Sequence, residues 1–267
     1  DTSAMTIVLI AALLYLVAAG MLVRRLARET PVTGAAWAVP AVVAAILHGI
    51  AHLLAWRDLG GADLHFFSAL SLVGLGMAGA TLLFGLRGRT AALGVVVFPL
   101  ATASLLVYAL TGHHDPEGLD WRLQLHAGFA LLAYATLAIA ALLALMLGAQ
   151  ERALRRREFH RWLRALPPLT ELETLLFRTI TVGFVLLTAT LLTGVLFVHD
   201  FFAQHLIHKS VLSVLSWLVF GALLFGRWRY GWRGPPAVRW TLAAMVLLVL
   251  AFFGSKFVLE LVLQRPR

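Results

Sequence analysis

The chain alternates between long apolar runs and short polar loops that are rich in arginine. Several runs exceed the ~18 consecutive apolar residues that mark a membrane-spanning helix, and none shows the alternating pattern of a transmembrane β-strand. This pattern predicts an all-α, polytopic membrane bundle that forms one transmembrane domain, residues 1–267. Eight helices are predicted, over residues 5–23, 35–56, 64–86, 91–110, 121–147, 172–197, 210–225 and 238–263.

Most of the positive charge lies in the loops that follow the first, third, fifth and seventh predicted helices. These loops and the adjoining helix ends hold all but six of the 22 lysines and arginines. Because short cytoplasmic loops are enriched in these residues, we expect this side to be cytoplasmic and both termini to lie outside. The expected location is the bacterial cytoplasmic (inner) membrane. The net charge of +9 therefore indicates a lipid bilayer rather than a nucleic acid as partner.

The composition excludes several other classes of protein. With 61% hydrophobic and 13% charged residues, the chain is not an ordinary soluble domain. The absence of cysteine excludes disulfides, thiolate metal sites, iron–sulfur clusters and covalent heme attachment. The sequence has no HExxH motif, Walker motif, nucleophile elbow or pair of catalytic carboxylates, so classical hydrolase chemistry has no support. An enzyme of heme metabolism is the least supported alternative.

The histidines are concentrated on the side of the bundle predicted to lie outside. Only His160 falls on the cytoplasmic side. The other nine histidines lie in the outer half or in the outer loops, at positions 48, 52, 65, 113, 114, 126, 199, 205 and 208. This distribution indicates that imidazole groups have a role at the outer face.

His126 lies about five residues inside the fifth helix, roughly 7–8 Å from its entry. An ionisable group at that depth is costly, so we expect it to face the bundle and to have a partner. Two interpretations remain open. The imidazole is hydrogen-bonded to a neighbouring carbonyl or hydroxyl, or it is an axial ligand of heme iron, for which a neutral imidazole in an apolar helical site is suited.

Three further histidines are candidates for contact with a heme. His48 and His52 lie one turn apart and share a face of the second helix. His48 is the deepest histidine, roughly 12 Å from the outer end of its helix, and is a candidate ligand. His52 is a candidate polar neighbour or propionate contact. His199 lies beside Asp200, whose carboxylate could orient a metal-bound imidazole, although a solvated helix end explains the pair equally well.

Two outer cations, Arg122 and Lys209, are candidate partners of heme propionates, or their charged ends simply reach the membrane interface. His205 and His208 are predicted to be interfacial. One outer loop is predicted to be solvated, with a weak divalent-ion site as the alternative; it contains His113, His114, Asp115, Glu117 and Asp120.

The fifth predicted helix also carries a family resemblance. Its segment LQLHAGFALLAYATLAIAALLAL resembles the histidine-bearing helix of the CcsA/CcmC/CcmF cytochrome c assembly superfamily. Residues 169–197 and 208–234 resemble the helices that follow it there, with the features LLTxxLLTG and GWRG. The branch that the whole chain resembles most is that of the short YpjD/HemX-like integral membrane proteins, which also have about eight spans.

The resemblance implies heme handling at the outer face of the cytoplasmic membrane during cytochrome c biogenesis. His126 falls on the first external heme-ligating histidine of the superfamily. The tryptophan-rich WWD signature is absent, with residues 199–210 in its place, and no histidine follows His208 where the second external ligand is expected. We therefore expect heme b to be held by His126 together with His48 or His199.

This expectation describes heme binding and transfer rather than catalysis. The expected partners are heme, the bilayer, and other membrane or cytochrome c biogenesis proteins. The alternative function is that of a heme-free accessory or regulatory subunit of a membrane transporter for divalent metal ions.

Overall fold

The computed structural model describes residues 2–28, 35–61, 63–86, 89–112, 120–157, 167–197 and 204–254. Within these ranges all regular secondary structure is helical, which confirms the all-α prediction. The helices are α1 Thr2–Ala27, α2 Ala38–Leu59, α3 Phe66–Gly85, α4 Gly94–Thr111, α5 Trp121–Arg155, α6 Leu169–Phe197, α7 Gln204–Tyr230 and α8 Pro235–Val249. The described residues contain eight helices that are long and apolar enough to cross a membrane, so the predicted polytopic bundle is confirmed.

Several helices extend beyond their predicted ends. Helix α5 continues to Arg155, and α7 begins at Gln204 and ends at Tyr230. The predictions followed the apolar stretch alone, whereas arginine, leucine and glutamine are good helix formers that continue a helix into the polar interface. Helix α8 gives way to a π-helical turn at Leu250–Gly254. The rest of its predicted length, to residue 263, lies outside the described residues.

The chain divides into two compact units. Unit 1 comprises Asp1–Gly118 and Ala153–Pro168, and unit 2 comprises Leu119–Arg152 and Leu169–Arg267. The single transmembrane domain expected from the sequence stays a prediction.

Unit 1 contains α1 to α4. Helix α1 packs against α2 and α4, and α3 packs against α4 and α2. The α3–α4 crossing is close at Gly74, where a Cβ atom would lie 2.6 Å from Ser104 Oγ and 3.3 Å from Ala101 Cα. Small residues allow such crossings in membranes, where apolar contact between helices gains little over contact with lipid.

Unit 2 is built from most of α5 together with α6, α7 and α8. Hydrogen bonds between helices tie this unit together, among them Trp217 Nε1 to Thr188 Oγ1 at 2.8 Å, Ser216 Oγ to the Ala244 carbonyl at 2.8 Å, and the Tyr134 hydroxyl to the Leu248 carbonyl at 2.6 Å. On α6, Gly183 leaves room for the side chain of Leu137 from α5. Hydrogen bonds and small residues of this kind hold membrane helices at a fixed rotation.

Candidate functional site

A half-open cavity of about 250 Å³ lies within unit 2. His126, Tyr134, Lys209 and Phe252 contribute to its wall, which is otherwise built mainly from aliphatic and small side chains of α5 to α8. The surface of the wall is predominantly apolar, with His126 and Lys209 as the lining residues that can carry a positive charge. A concave apolar surface with a few polar groups is typical of a site for a small molecule or cofactor.

His126 reaches this cavity from α5, whose leucine- and alanine-rich sequence favours an uninterrupted helix. Ala130 and Tyr134 follow it at intervals of one turn, and they line the same cavity. The imidazole is half-buried. The sequence therefore located this histidine correctly on a helix face that points into the unit.

One partner of His126 is a hydroxyl group on α6, and the backbone of Thr190 on the same helix is another. His126 Nδ1 lies 3.1 Å from Thr193 Oγ1. The same Oγ1 lies 2.8 Å from the carbonyl oxygen of Ala189 and 3.0 Å from that of Thr190. A threonine hydroxyl has one hydrogen, and in a helix it commonly donates it to the carbonyl one turn earlier. Oγ1 is then an acceptor for the Nδ1–H of His126.

This network assigns the tautomer of His126. Because Nδ1 carries the hydrogen, Nε2 has the free lone pair of a neutral imidazole. Hydrogen bonding to a hydroxyl and metal ligation were alternatives at the level of sequence, but they use different ring nitrogens. A metal-bound histidine normally donates its other N–H to a nearby oxygen, so the contact with Thr193 is compatible with ligation.

The two predicted cations have different surroundings. Lys209 lines the cavity, together with Ser210 and Ser213 from α7. The side chain of Arg122 is 51% exposed and lies 3.9 Å from Asp120. Its guanidinium also lies over the ring of Trp121, at 5.6 Å from the centroid. Arg122 is not among the described residues that line this cavity.

His48 lies at the centre of unit 1 and is completely buried. Its Nε2 lies 2.9 Å from Ser71 Oγ, and its Nδ1 lies 3.4 Å from the hydroxyl of Tyr15. His52 Nε2 lies 2.9 Å from the same Ser71 oxygen. The two imidazoles stack with centroids 5.5 Å apart, so the helix face that their spacing predicts is shared in the fold.

The cluster continues toward the loop between α2 and α3. The ring of Tyr108 lies 4.5 Å from that of His52 and 5.8 Å from that of His65. His65 Nδ1 donates to Asp63 Oδ1 at 2.6 Å. Sequence reasoning missed Asp63, Tyr108 and Ser71, because their only local signal is a polar residue on an apolar helix or at its end.

The remaining candidates lie outside the described residues: His199, Asp200, and His113 with residues 114–119 of its loop. The side chains of His205 and His208 also lie outside them, whereas the backbones of these two residues belong to α7. Across the described ranges there is no group of three or more histidine or carboxylate side chains that could hold a metal ion. In that part of the chain, a multi-ligand site for zinc or another divalent ion has no candidate.

The functional residues that the sequence left unrecognised in unit 2 are Tyr134, Thr193 and Phe252. Tyr134 had a usable signal, since it lies two turns after His126 on the same side of α5. Thr193 and Phe252 had none, because the contact of one helix with another depends on rotations that a single sequence does not specify.

Comparison with known proteins identifies relatives over most of the chain. A family model described as cytochrome c assembly protein matches residues 9–263. The inner membrane protein YpjD of Escherichia coli K12 is 34% identical over 233 residues, which are 84% of this chain and 86% of the relative. The cytochrome c biogenesis protein CcsA of Prochlorococcus marinus MIT 9303 is 31% identical over 86 residues, 32% of this chain and 27% of the relative. No solved structure matches.

These matches confirm the family resemblance seen in the sequence. The predicted multi-pass protein of the inner membrane agrees with the eight apolar helices and with the name of the relative that covers most of the chain.

Proposed function

This chain belongs to the cytochrome c assembly protein family, and we propose that it is an integral membrane protein that binds heme b by histidine ligation. Membership of the family supports a role in cytochrome c biogenesis. In our proposal His126 is an axial ligand, and the protein binds heme and passes it on at the outer face of the cytoplasmic membrane. The outward orientation follows from the distribution of lysine and arginine.

The contact of His126 with Thr193, at a residue that lines an apolar cavity, is the observation that carries the proposal. In our proposal Thr193 accepts the Nδ1–H, which leaves Nε2 as a neutral donor atom. Heme iron takes such a nitrogen as its axial ligand. A fixed ring also lowers the entropic cost of binding, since the ligand atom is already oriented.

The cavity matches the amphipathic character of heme. Its largely aliphatic wall suits the macrocycle, and the ammonium of Lys209 can pair with a carboxylate. Pockets that enclose ligands of this size measure about 300–1,000 Å³. This cavity measures about 250 Å³ and is half-open. In our proposal it therefore receives one edge of the macrocycle and leaves the remainder outside. Partial enclosure suits a protein that hands its ligand on.

The second axial ligand is taken from the candidates His48 and His199. Both ring nitrogens of His48 face hydrogen-bonding partners in a fully buried position, so ligation would require the bond to Ser71 to break. The same serine binds Nε2 of His52. We therefore favour His199, which lies outside the described residues, over His48.

When bound, the heme iron would supply reversible one-electron chemistry. The contributions of the chain are the lone pair of His126, the hydroxyl of Thr193 that orients the ring, and the positive charge of Lys209. Arg122 stays a predicted propionate partner, with a more exposed position than Lys209.

The experiment is an absorption spectrum and a pyridine hemochrome assay on the full-length protein purified in detergent. We expect a Soret band and heme b in the wild type. His126→Ala should lose most of the heme, and added imidazole should restore the spectrum by occupying the vacated site.

The matched control is His160→Ala, which removes the one histidine predicted on the cytoplasmic side and should leave the heme content unchanged. Full heme content and an unaltered spectrum in His126→Ala would show that His126 is not the ligand.

A further inference from the structure

The hydroxyl of Tyr134 is inserted into the series of backbone hydrogen bonds of α8, the helix that it faces. It donates a hydrogen bond of 2.6 Å to the carbonyl oxygen of Leu248. The backbone amide of Phe252 also interacts with the phenol oxygen. In a regular α-helix these two backbone groups would bond to each other, because the amide of residue i donates to the carbonyl of residue i−4. The phenol therefore takes the place of one helical hydrogen bond.

The helix changes its form at this position. Residues Pro235–Val249 are α-helical, and Leu250–Gly254 form a π-helical turn. Such turns are rare, they arise where a residue or another group disturbs the ladder, and they are frequent at functional sites. The inserted hydroxyl of Tyr134 is a sufficient physical cause.

The π-helical turn is part of the cavity wall. Leu248, Ala251 and Phe252 line the same cavity as His126 and Tyr134. Tyr134 follows His126 by eight residues, which is about 12 Å along the helix axis. The regular backbone hydrogen bonding of the helix is thus interrupted at the end of the cavity that lies farthest from His126.

We propose that Tyr134 is a positioning residue of this cavity, whose hydroxyl holds the Leu250–Gly254 turn open and so fixes Phe252 in the wall. The position of Phe252 sets how far the apolar edge of a ligand can enter. The identity of that ligand as heme rests on the proposed function, whereas the effect of Tyr134 on the turn does not.

The aromatic ring of Tyr134 is anchored independently of its hydroxyl. The residue is 6% exposed, and its ring lies 5.9 Å from that of Phe252 and 5.6 Å from that of Phe253. Tyr134→Phe therefore removes the hydroxyl while these ring contacts can persist. Tyr230→Phe is the matched control, because that residue is 67% exposed and lies on the same unit.

The first measurement is hydrogen exchange on the heme-free, full-length protein in detergent. In Tyr134→Phe we expect exchange within residues 248–254 to change on the order of tenfold, the effect of about one hydrogen bond. Faster exchange means that the Phe252 amide has lost its acceptor, and slower exchange means that the helix has closed into the α form. Either result supports the role of the hydroxyl, and unchanged exchange overturns it.

The second measurement is a titration of the same variants with hemin. Tyr134→Phe should weaken binding about tenfold while keeping the Soret position of the wild type, because His126 still ligates. Wild-type affinity in this variant would overturn the proposal that Tyr134 shapes the site. A wild-type protein that does not bind hemin would defeat the proposed function, and the exchange experiment would still decide the role of Tyr134.

Phe252→Leu tests the cavity wall while keeping the Tyr134 hydroxyl. This variant is used in place of Tyr134→Phe if the latter does not fold. It should weaken hemin binding and leave exchange at the Leu248–Ala251 backbone unchanged. Unchanged affinity would show that Phe252 does not limit the ligand.

Discussion

His48 in unit 1 and His126 in unit 2 are both imidazoles on apolar membrane helices, but their surroundings differ in kind. His48 is fully buried, and both of its ring nitrogens face a hydroxyl. His126 is half-buried, has a hydroxyl at Nδ1 and lines a cavity. A buried polar group is stable when its hydrogen bonds are satisfied, so the first arrangement serves folding. In our proposal the second arrangement keeps a donor atom available for a ligand.

Depth in the membrane therefore does not by itself identify a ligand. His48 is the deeper of the two in the sequence, yet its partners already satisfy it. The two histidines differ in how many of their ring nitrogens already face a hydrogen-bonding partner on the side chains around them. The following predictions test this difference.

The largest effect is expected on stability, from His48→Ala. The variant removes a fully buried side chain and leaves the hydroxyls of Ser71 and Tyr15 without that partner, which should cost about 2–4 kcal/mol. His126→Ala should cost below about 1 kcal/mol, since the residue already borders a cavity. Thermal denaturation of the heme-free proteins in detergent measures both. Equal losses would remove the distinction between the two histidines.

A smaller effect is expected on heme affinity, from Thr193→Val. Valine has nearly the shape of threonine but cannot accept the Nδ1–H of His126, so the ring loses its orientation and the affinity should fall about tenfold. The control is Thr181→Val on the same helix, where the hydroxyl donates to the Phe177 carbonyl. Hemin titrations of the two variants should differ. If they agree with each other and with the wild type, the tautomer argument for His126 does not hold.

The smallest effect separates the two candidate cations. Lys209→Met should lower hemin affinity about fivefold, because a partly exposed charge pair contributes up to about 1 kcal/mol. Arg122→Met should change it less, since that side chain is 51% exposed and near Asp120. Titrations at low and high salt provide the check, because the contribution of a charge pair to affinity should weaken with salt. A larger effect of Arg122→Met would reverse the assignment.

The sequence predicted those features that depend on local composition. The number of membrane helices follows from the lengths of the apolar runs, and the shared face of His48 and His52 follows from their spacing. The ends of α5 and α7 were placed too early or too late because hydropathy records the apolar core and not the full helix.

The partners across helices did not follow from the sequence. Ser71, Thr193 and Tyr134 meet their partners through the rotation of one helix against another, which local patterns leave undetermined. The π-helical turn could not be predicted from the sequence either, because periodicity arguments assume 3.6 residues per turn throughout.

The single hydroxyl of Ser71 makes the two histidines of unit 1 non-equivalent. Nε2 of His48 and Nε2 of His52 both lie 2.9 Å from its oxygen. One hydroxyl hydrogen can serve only one of them, so the other must donate its own N–H to the serine. The pair therefore has a direction, which reverses when the hydroxyl turns and each of the two rings moves its hydrogen from one nitrogen to the other. Two residues that look alike on a helical wheel thus have opposite hydrogen-bonding polarity at any moment, and replacing either with glutamine should affect the bundle differently.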